Sequence, residues 1–198
     1  MSEPNRELTK NKMDPKLESK ETETKQREDV VKEIKKEIKK ILDRLVPPHS
    51  KKSRQVTDKD IKRVIEESKI LHELCFLPTG KYNGAYAMHH SQIDDKDPLS
   101  LFVTADHKII INPVITRHSG YTVDSKEGCV TYPDNEQITV QRWHKMELDF
   151  VTIMIDPEDS TKFKLSSIMH GSLSGHEAFC FQHEIDHGDS KYIYSLIQ

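Results

Sequence analysis

Near its C-terminal end the chain reads Gln182-His183-Glu184-Ile185-Asp186-His187, two histidines four residues apart with a glutamate beside the first. Residues four apart on a helix project from one face, so His183 and His187 can hold one ion while Glu184 reaches a water made acidic by it. The competing reading is a surface helix carrying two solvated histidines. Ala178, Phe181 and Ile185 argue against it, because they lay an apolar face along the same segment that would bury the helix.

Two imidazoles do not complete a catalytic metal site, which usually needs three protein ligands and one open position. After His187 only Gly188 to Gln198 remain, and they contain no His, Glu or Cys. The third ligand must come from upstream, unlike the arrangement of ordinary zinc proteases. Cys129, in Glu127-Gly128-Cys129-Val130-Thr131, is the best candidate: a thiolate binds iron or zinc strongly, and Gly128 lets the backbone approach closely. Cys75 and Cys180 read as small buried hydrophobes.

Glu127-Gly128-Cys129, followed at a distance by Gln182-His183-Glu184-x-Asp186-His187, resembles the second and third signature motifs of the peptide deformylase family. Ile111-Asn112-Pro113, Pro133, Gly175 and Ala178 agree with it, and the resemblance covers roughly residues 54–198. It implies hydrolysis of the N-formyl group from the formyl-methionine of nascent chains, with release of formate. Cys129, His183 and His187 would bind the metal, commonly Fe(II), with Zn(II) or Ni(II) able to substitute. Glu184 would carry the proton, and Gln92 and the backbone N–H of Val130 would donate to the formyl oxygen as it gains charge. Glu127 and Arg142 would pair behind the site.

The first family motif, G-x-G-Φ-A-A-x-Q, is altered. The eight residues ending at Gln92 are Ala85-Tyr86-Ala87-Met88-His89-His90-Ser91-Gln92, with Ala for both glycines and His for both alanines. His89 and His90 are either extra ligands or occupants of a rearranged pocket wall, and with Tyr86 they are expected to narrow the methionine pocket. Thr131 stands where Ser is usual, and Gly188-Asp189-Ser190 where Leu-x-Gly follows the last histidine. These departures leave open another N-acyl substrate, or a metal-stabilised ribosome-binding module without turnover.

The elements that must position these residues follow from periodicity. Thr57 should cap a helix through Ile61, Val64, Ile65, Leu71 and Leu74 that ends near Pro78 and Gly80. Strand-like runs cover Leu99 to Thr104, Lys108 to Asn112 and Met146 to Ile155, and a last helix is signalled after Gly171. The fold class is α+β, mostly antiparallel strands around one helix that carries the chemistry.

Upstream lies a different composition. Residues 1–24 mix both charge signs with almost no large apolar residues, so disorder is expected there. From Lys25 to Val46, Val31, Ile34, Ile38, Ile41 and Leu45 recur at spacings of three and four, which predicts a helix stopped by Pro47 and Pro48. Its stripe can dock on the domain, self-associate, or serve ribosome or nucleic-acid contact. The boundary of the catalytic domain is placed at residue 51.

The chain has 198 residues and a net charge of only −3, but Lys25 to Lys52 carries +5 and the remainder −8. That balance excludes a whole-chain nucleic-acid binder and leaves a local basic segment. No run of about 18 apolar residues exists, and no apolar signal region precedes residue 50, so a cytoplasmic or organellar-matrix monomer is expected. Three cysteines make no disulfide framework.

Overall fold

In the computed structural model the residues described are 15–47 and 50–196. The chain divides between Lys39 and Lys40 into two compact units. The first is dominated by helix α1, Pro15–Leu42. It begins ten residues before the expected Lys25, so residues 15–24 are helical where disorder was expected; residues 1–14 lie outside those described. Pro15 at the first helical position and a run of straight-chain Lys, Glu and Gln favour that early start. The boundary also differs from the one expected at residue 51. Ile41, Leu42 and Leu45, the end of the apolar stripe, pack against the core of the second unit, and the Val46 N–H donates to the Gln92 carbonyl at 2.9 Å.

The second unit opens with a segment pinned by side chains. Arg54 donates to Asp60 (2.7 and 2.9 Å) and Asp97 (2.8 and 2.9 Å). Asn112 bonds the backbone of Val56 in both directions, 2.8 and 2.9 Å, from a left-handed conformation (φ 52°) that Asn tolerates better than most residues. Thr57 does start the next helix, but in a different role from the expected one. Its hydroxyl and its N–H both donate to the Asp60 carboxylate, and a turn of 3₁₀ helix, Asp58–Asp60, leads into α2, Ile61–Phe76. α2 buries Val64, Leu71, Leu74 and Cys75.

Among the described residues nine strands follow, interrupted by a 3₁₀ turn at His90–Gln92. They are β1 Ala87–His89, β2 Leu101–Thr104, β3 Ile109–His118, β4 Thr122–Glu127, β5 Ile138–Trp143, β6 Lys145–Val151, β7 Ile153–Asp156, β8 Asp159–Leu165 and β9 Met169–Ser174. They form a five-stranded sheet in the order β1-β2-β3-β6-β9 and two hairpins, β4-β5 and β7-β8, all paired antiparallel. Helix α3, Gly175–Gly188, carries both histidines. It starts later than Gly171, which is a residue of β9. A Cβ at Gly171 would come within 2.8 Å of a Leu148 methyl, so close strand packing accounts for that glycine. Gly175 (φ 59°) makes the turn into the helix.

The core lies on both sides of β1 and β2. Alternate residues of β2 face opposite ways: Leu101 and Val103 pack with α2, whereas Phe102 packs with Ala178 and Phe181 of α3. Phe102 and Phe181 meet edge to face at 4.9 Å, and together these contacts hold α3 against the sheet. The fold is α+β, as its sequence pattern implies. No helix among the described residues is long and apolar enough to cross a membrane.

Candidate metal centre and active site

Cys129 follows β4 in a tight turn, and His183 and His187 lie on the last turns of α3. One ligand atom from each lies within 4.8 Å of the other two, which among the described residues makes the one group of three or more such side chains able to hold a metal ion. Cys129 Sγ is 3.3 Å from His187 Nε2 and is buried. Burial alone would raise its pKa, but His187 and His183 beside it hold the thiol well below its ordinary value. The donor set therefore suits a divalent transition metal: one thiolate and two imidazoles.

The imidazole orientation is fixed from behind. His183 Nδ1 lies 3.0 Å from Glu127 Oε2, leaving its Nε2 toward the thiolate. Glu127 also accepts two hydrogen bonds from Arg142 Nε and Nη2, each 2.9 Å, and Arg142 reaches on to Asp186 of α3. Burial pushes the Glu127 carboxyl up, but Arg142 and His183 outweigh that and hold it at about 2. Tyr192 packs its ring 5.0 Å from that of His187. His187 Nδ1 is buried without a hydrogen-bond partner.

Glu184 sits beside this group at the bottom of a cavity of about 270 Å³. It is 4 % exposed, and its Oε2 has no hydrogen-bond partner. Burial raises its pKa, with His187 and His183 acting in the opposite sense. Gln92 reaches the same cavity from the 3₁₀ turn after β1. Its carbonyl oxygen accepts the His89 N–H at 2.8 Å, which turns the amide –NH₂ outward; one N–H reaches the Thr131 hydroxyl at 3.0 Å. Val130, the residue after Cys129, lines the wall. The arrangement puts a desolvated carboxylate and an amide donor around one small space, with Cys129, His183 and His187 grouped beside it.

The two histidines of the altered first motif are not in it. His90 is wholly buried on the far side of β1, where its Nδ1 accepts the Leu99 N–H at 3.1 Å. Its Nε2 must then carry the proton, and it meets Glu67, which Arg63 holds from the other side at 2.9 Å. His89 turns away as well, with Nδ1 against Ser91 (Oγ at 2.9 Å, N at 3.0 Å). Its ring fills the space beside Gly188: a Cβ there would lie 3.1 Å from His89 Nε2. Two departures from the family pattern thus offset each other, a large side chain at residue 89 and none at residue 188. The expectation that His89 and His90 narrow the pocket is corrected; of the three residues only Tyr86 lines it.

The missing motif glycine has a counterpart one residue upstream. Gly84 (φ 109°) lies so close to the Cys75 carbonyl that a Cβ would come within 2.4 Å of its oxygen, and the Ala85 N–H donates to that carbonyl at 2.8 Å. Cys75 itself is core, with its thiol pushed up to about 12 by burial. Cys180 is different from the buried hydrophobe expected: it is half-buried and lines the cavity, with His176 Nε2 3.5 Å from its sulfur. Sequence reasoning passed over His176, Phe179 and Ser125, also in the lining. The signal for His176 and Cys180 was present, since they precede Glu184 by eight and four residues on one helix.

The α+β scaffold thus brings Cys129, His183 and His187 together beside a buried glutamate. The polypeptide deformylase family model matches residues 83–198, so the chain belongs to that family. Among solved structures it resembles the deformylase of the Vibrio parahaemolyticus bacteriophage VP16T (22 % identity, TM-score 0.56, covering 75 % of this chain and 95 % of that one). It also resembles the Thermotoga maritima peptide deformylase (20 % identity, TM-score 0.59, 75 % and 90 %) and that of Plasmodium falciparum (21 %, 0.55, 74 % and 81 %). At these identities the likeness is one of fold. No curated protein matches the chain.

Proposed function

We propose that the protein removes the N-formyl group from formyl-methionyl peptides and releases formate, working in the cytoplasm or an organellar matrix. The observation that carries this reading is Glu184: a carboxylate with one unpartnered oxygen, buried beside three ligand atoms. A site that only stored a structural metal would need neither that carboxylate nor Gln92.

Cys129 Sγ and the imidazoles of His183 and His187 would hold the ion, Fe(II) first and Zn(II) or Ni(II) as substitutes. When bound, it supplies the Lewis acidity that makes water nucleophilic near neutral pH. Glu184 accepts the proton from the attacking water on Oε2 and delivers it to the departing amine. Its raised pKa suits a group that must both take and give a proton. The Gln92 amide and the Val130 N–H donate to the formyl oxygen as charge develops on it. Glu127 and Arg142 keep His183 oriented throughout.

The test is release of formate from formyl-Met-Ala-Ser beside release of acetate from acetyl-Met-Ala-Ser, with anaerobically prepared Fe(II) protein whose metal content has been measured. Release from the formyl peptide alone is expected. Cleavage of the acetyl peptide would replace this reading with a broader N-acyl hydrolase, and no cleavage of either, with metal present, would reject turnover.

A further inference from the structure

The turn that carries Gln92 is three residues of 3₁₀ helix, His90–Gln92, too short to hold its shape by internal bonds alone. On the cavity side the Gln92 amide is fixed by the His89 N–H and the Thr131 hydroxyl. On the opposite side the turn rests on His90, whose wholly buried ring reaches two elements at once. Nδ1 accepts the Leu99 N–H at 3.1 Å, from the segment that runs into β2, and the Nε2–H donates to Glu67 of α2. The His90 carbonyl accepts the N–H groups of Ile93 (3.0 Å) and Asp94 (3.1 Å), which closes the turn behind Gln92.

Glu67 is itself held. Arg63 Nε donates to its Oε2 at 2.9 Å, and Arg44 Nη2 lies 3.7 Å from its Oε1. Arg63 Nη2 is 3.5 Å from His90 Nε2; both are donors, and the Glu67 carboxylate accepts from Arg63 and His90 alike. Burial pushes the Glu67 carboxyl up, but His90 and Arg63 outweigh it and hold the group below its ordinary value, so it stays an acceptor. Arg63 also donates to Asp94 and, at 2.8 Å, to Asp97, which ties α2 to two points of the loop between the turn and Leu99.

We propose that His90 is a positioning residue for Gln92, clamping the turn that aims its amide to α2 through Glu67 and to the approach of β2 through Leu99. This rests on the deformylase reading and deepens it, because Gln92 is there a donor to the formyl oxygen. A neutral imidazole suits the place, since it accepts on one nitrogen and donates on the other in fixed directions. Alanine would make neither bond, and a phenyl ring would fill the space while leaving the Leu99 N–H and the Glu67 carboxylate without this partner. A donor displaced by about 1 Å loses much of its effect on a developing charge, so a loosened turn should act on the rate more than on substrate binding.

The experiment is a double-mutant cycle in formate release from formyl-Met-Ala-Ser by the metal-loaded full chain, with metal content measured for every variant. His90→Phe should lower kcat by about 10- to 100-fold with KM nearly unchanged. In the Gln92→Ala background the same substitution should cost less than about threefold, since the residue through which it acts is gone. Glu67→Gln, which keeps an acceptor for the His90 N–H and serves where His90→Phe does not fold, should show the same pattern at smaller size. Equal fold-losses with and without Gln92 would overturn the proposal, as would wild-type kcat in both variants. Amide hydrogen exchange on the zinc-loaded proteins reads the clamp without turnover: Ile93, Asp94 and Leu99 should lose protection when His90 is replaced, and unchanged protection would also overturn it. Absence of formate from the wild type, with metal bound, would instead count against the deformylase reading, and the exchange result would then decide the role of His90 by itself.

Discussion

Glu127 Oε2 lies 3.0 Å from His183 Nδ1, and this contact orients the imidazole proposed to bind the metal through a carboxylate that Arg142 already holds. Glu127→Gln keeps the shape but loses the charge. Metal affinity should fall about 10- to 100-fold, the usual cost of removing such a support, measured by competition with a chelator. The same carboxyl also sets a pH dependence. Its folded pKa of about 2 lies below the ordinary 4.5, so its contribution to stability is full above the ordinary value and is lost as pH falls through about 2. Urea melts of the metal-free proteins should show the wild type losing its advantage over Glu127→Gln across that window, and a gap constant with pH would refute the assignment.

Cys129→Ser should lose most bound iron or zinc, because a neutral hydroxyl cannot replace a thiolate whose pKa His187 and His183 depress. Cys75→Ser and Cys180→Ser should keep it, since burial holds both of those thiols up at about 12. Metal content by mass spectrometry decides, and full occupancy in the Cys129 variant would sink the ligand assignment.

Glu184→Ala should retain its metal and lose about two to four orders of magnitude in kcat, the range for a positioned acid–base group. Gln92→Ala should fall by about two to three orders, as for one lost donor to a developing oxyanion. Rates close to wild type in either variant would remove that residue from the chemistry.

His89 and Gly188 should be coupled. A side chain at residue 188 meets the His89 ring, so Gly188→Leu alone should destabilise by about 1–3 kcal/mol through overpacking. His89→Ala alone leaves a cavity and removes the hydrogen bonds between its ring and Ser91. The double variant should be more stable than the sum of the two predicts, by about 0.5–3 kcal/mol, in a double-mutant cycle of denaturant melts. Strict additivity would show that the two departures are independent.

The basic segment from Lys25 to Lys52, six of whose ten Lys and Arg lie within residues 1–39, is proposed to hold the protein near ribosomes through charge. Removing residues 1–39 should weaken ribosome co-sedimentation at low salt and leave hydrolysis of short peptides nearly unchanged. Removing residues 1–50 should also lower activity, because it strips Ile41, Leu42 and Leu45 from the core and the Val46 N–H from the Gln92 carbonyl. Equal activity of the two truncations would show that this segment does not support Gln92.

The sequence by itself determined the fold class and named the three side chains, Cys129, His183 and His187, whose ligand atoms the structure brings within 4.8 Å of one another. Four-residue spacing on a helix is a local geometric fact, so His183, Glu184 and His187 were legible without tertiary structure, and the short tail after His187 sent the search for a third ligand upstream to Cys129. Apolar runs bounded by Gly, Pro and Asp marked β2, the start of β3 and, as one run, β6 with β7, but not the remaining strands. Only the tertiary structure decided what His89 and His90 do, since the Glu67 and Leu99 groups that capture one, and the space above Gly188 that admits the other, come from residues distant in sequence. It decided the N-terminal boundary for the same reason. The stripe from Val31 to Leu45 is continuous in sequence, but whether a given residue on it is buried depends on which other element lies against it.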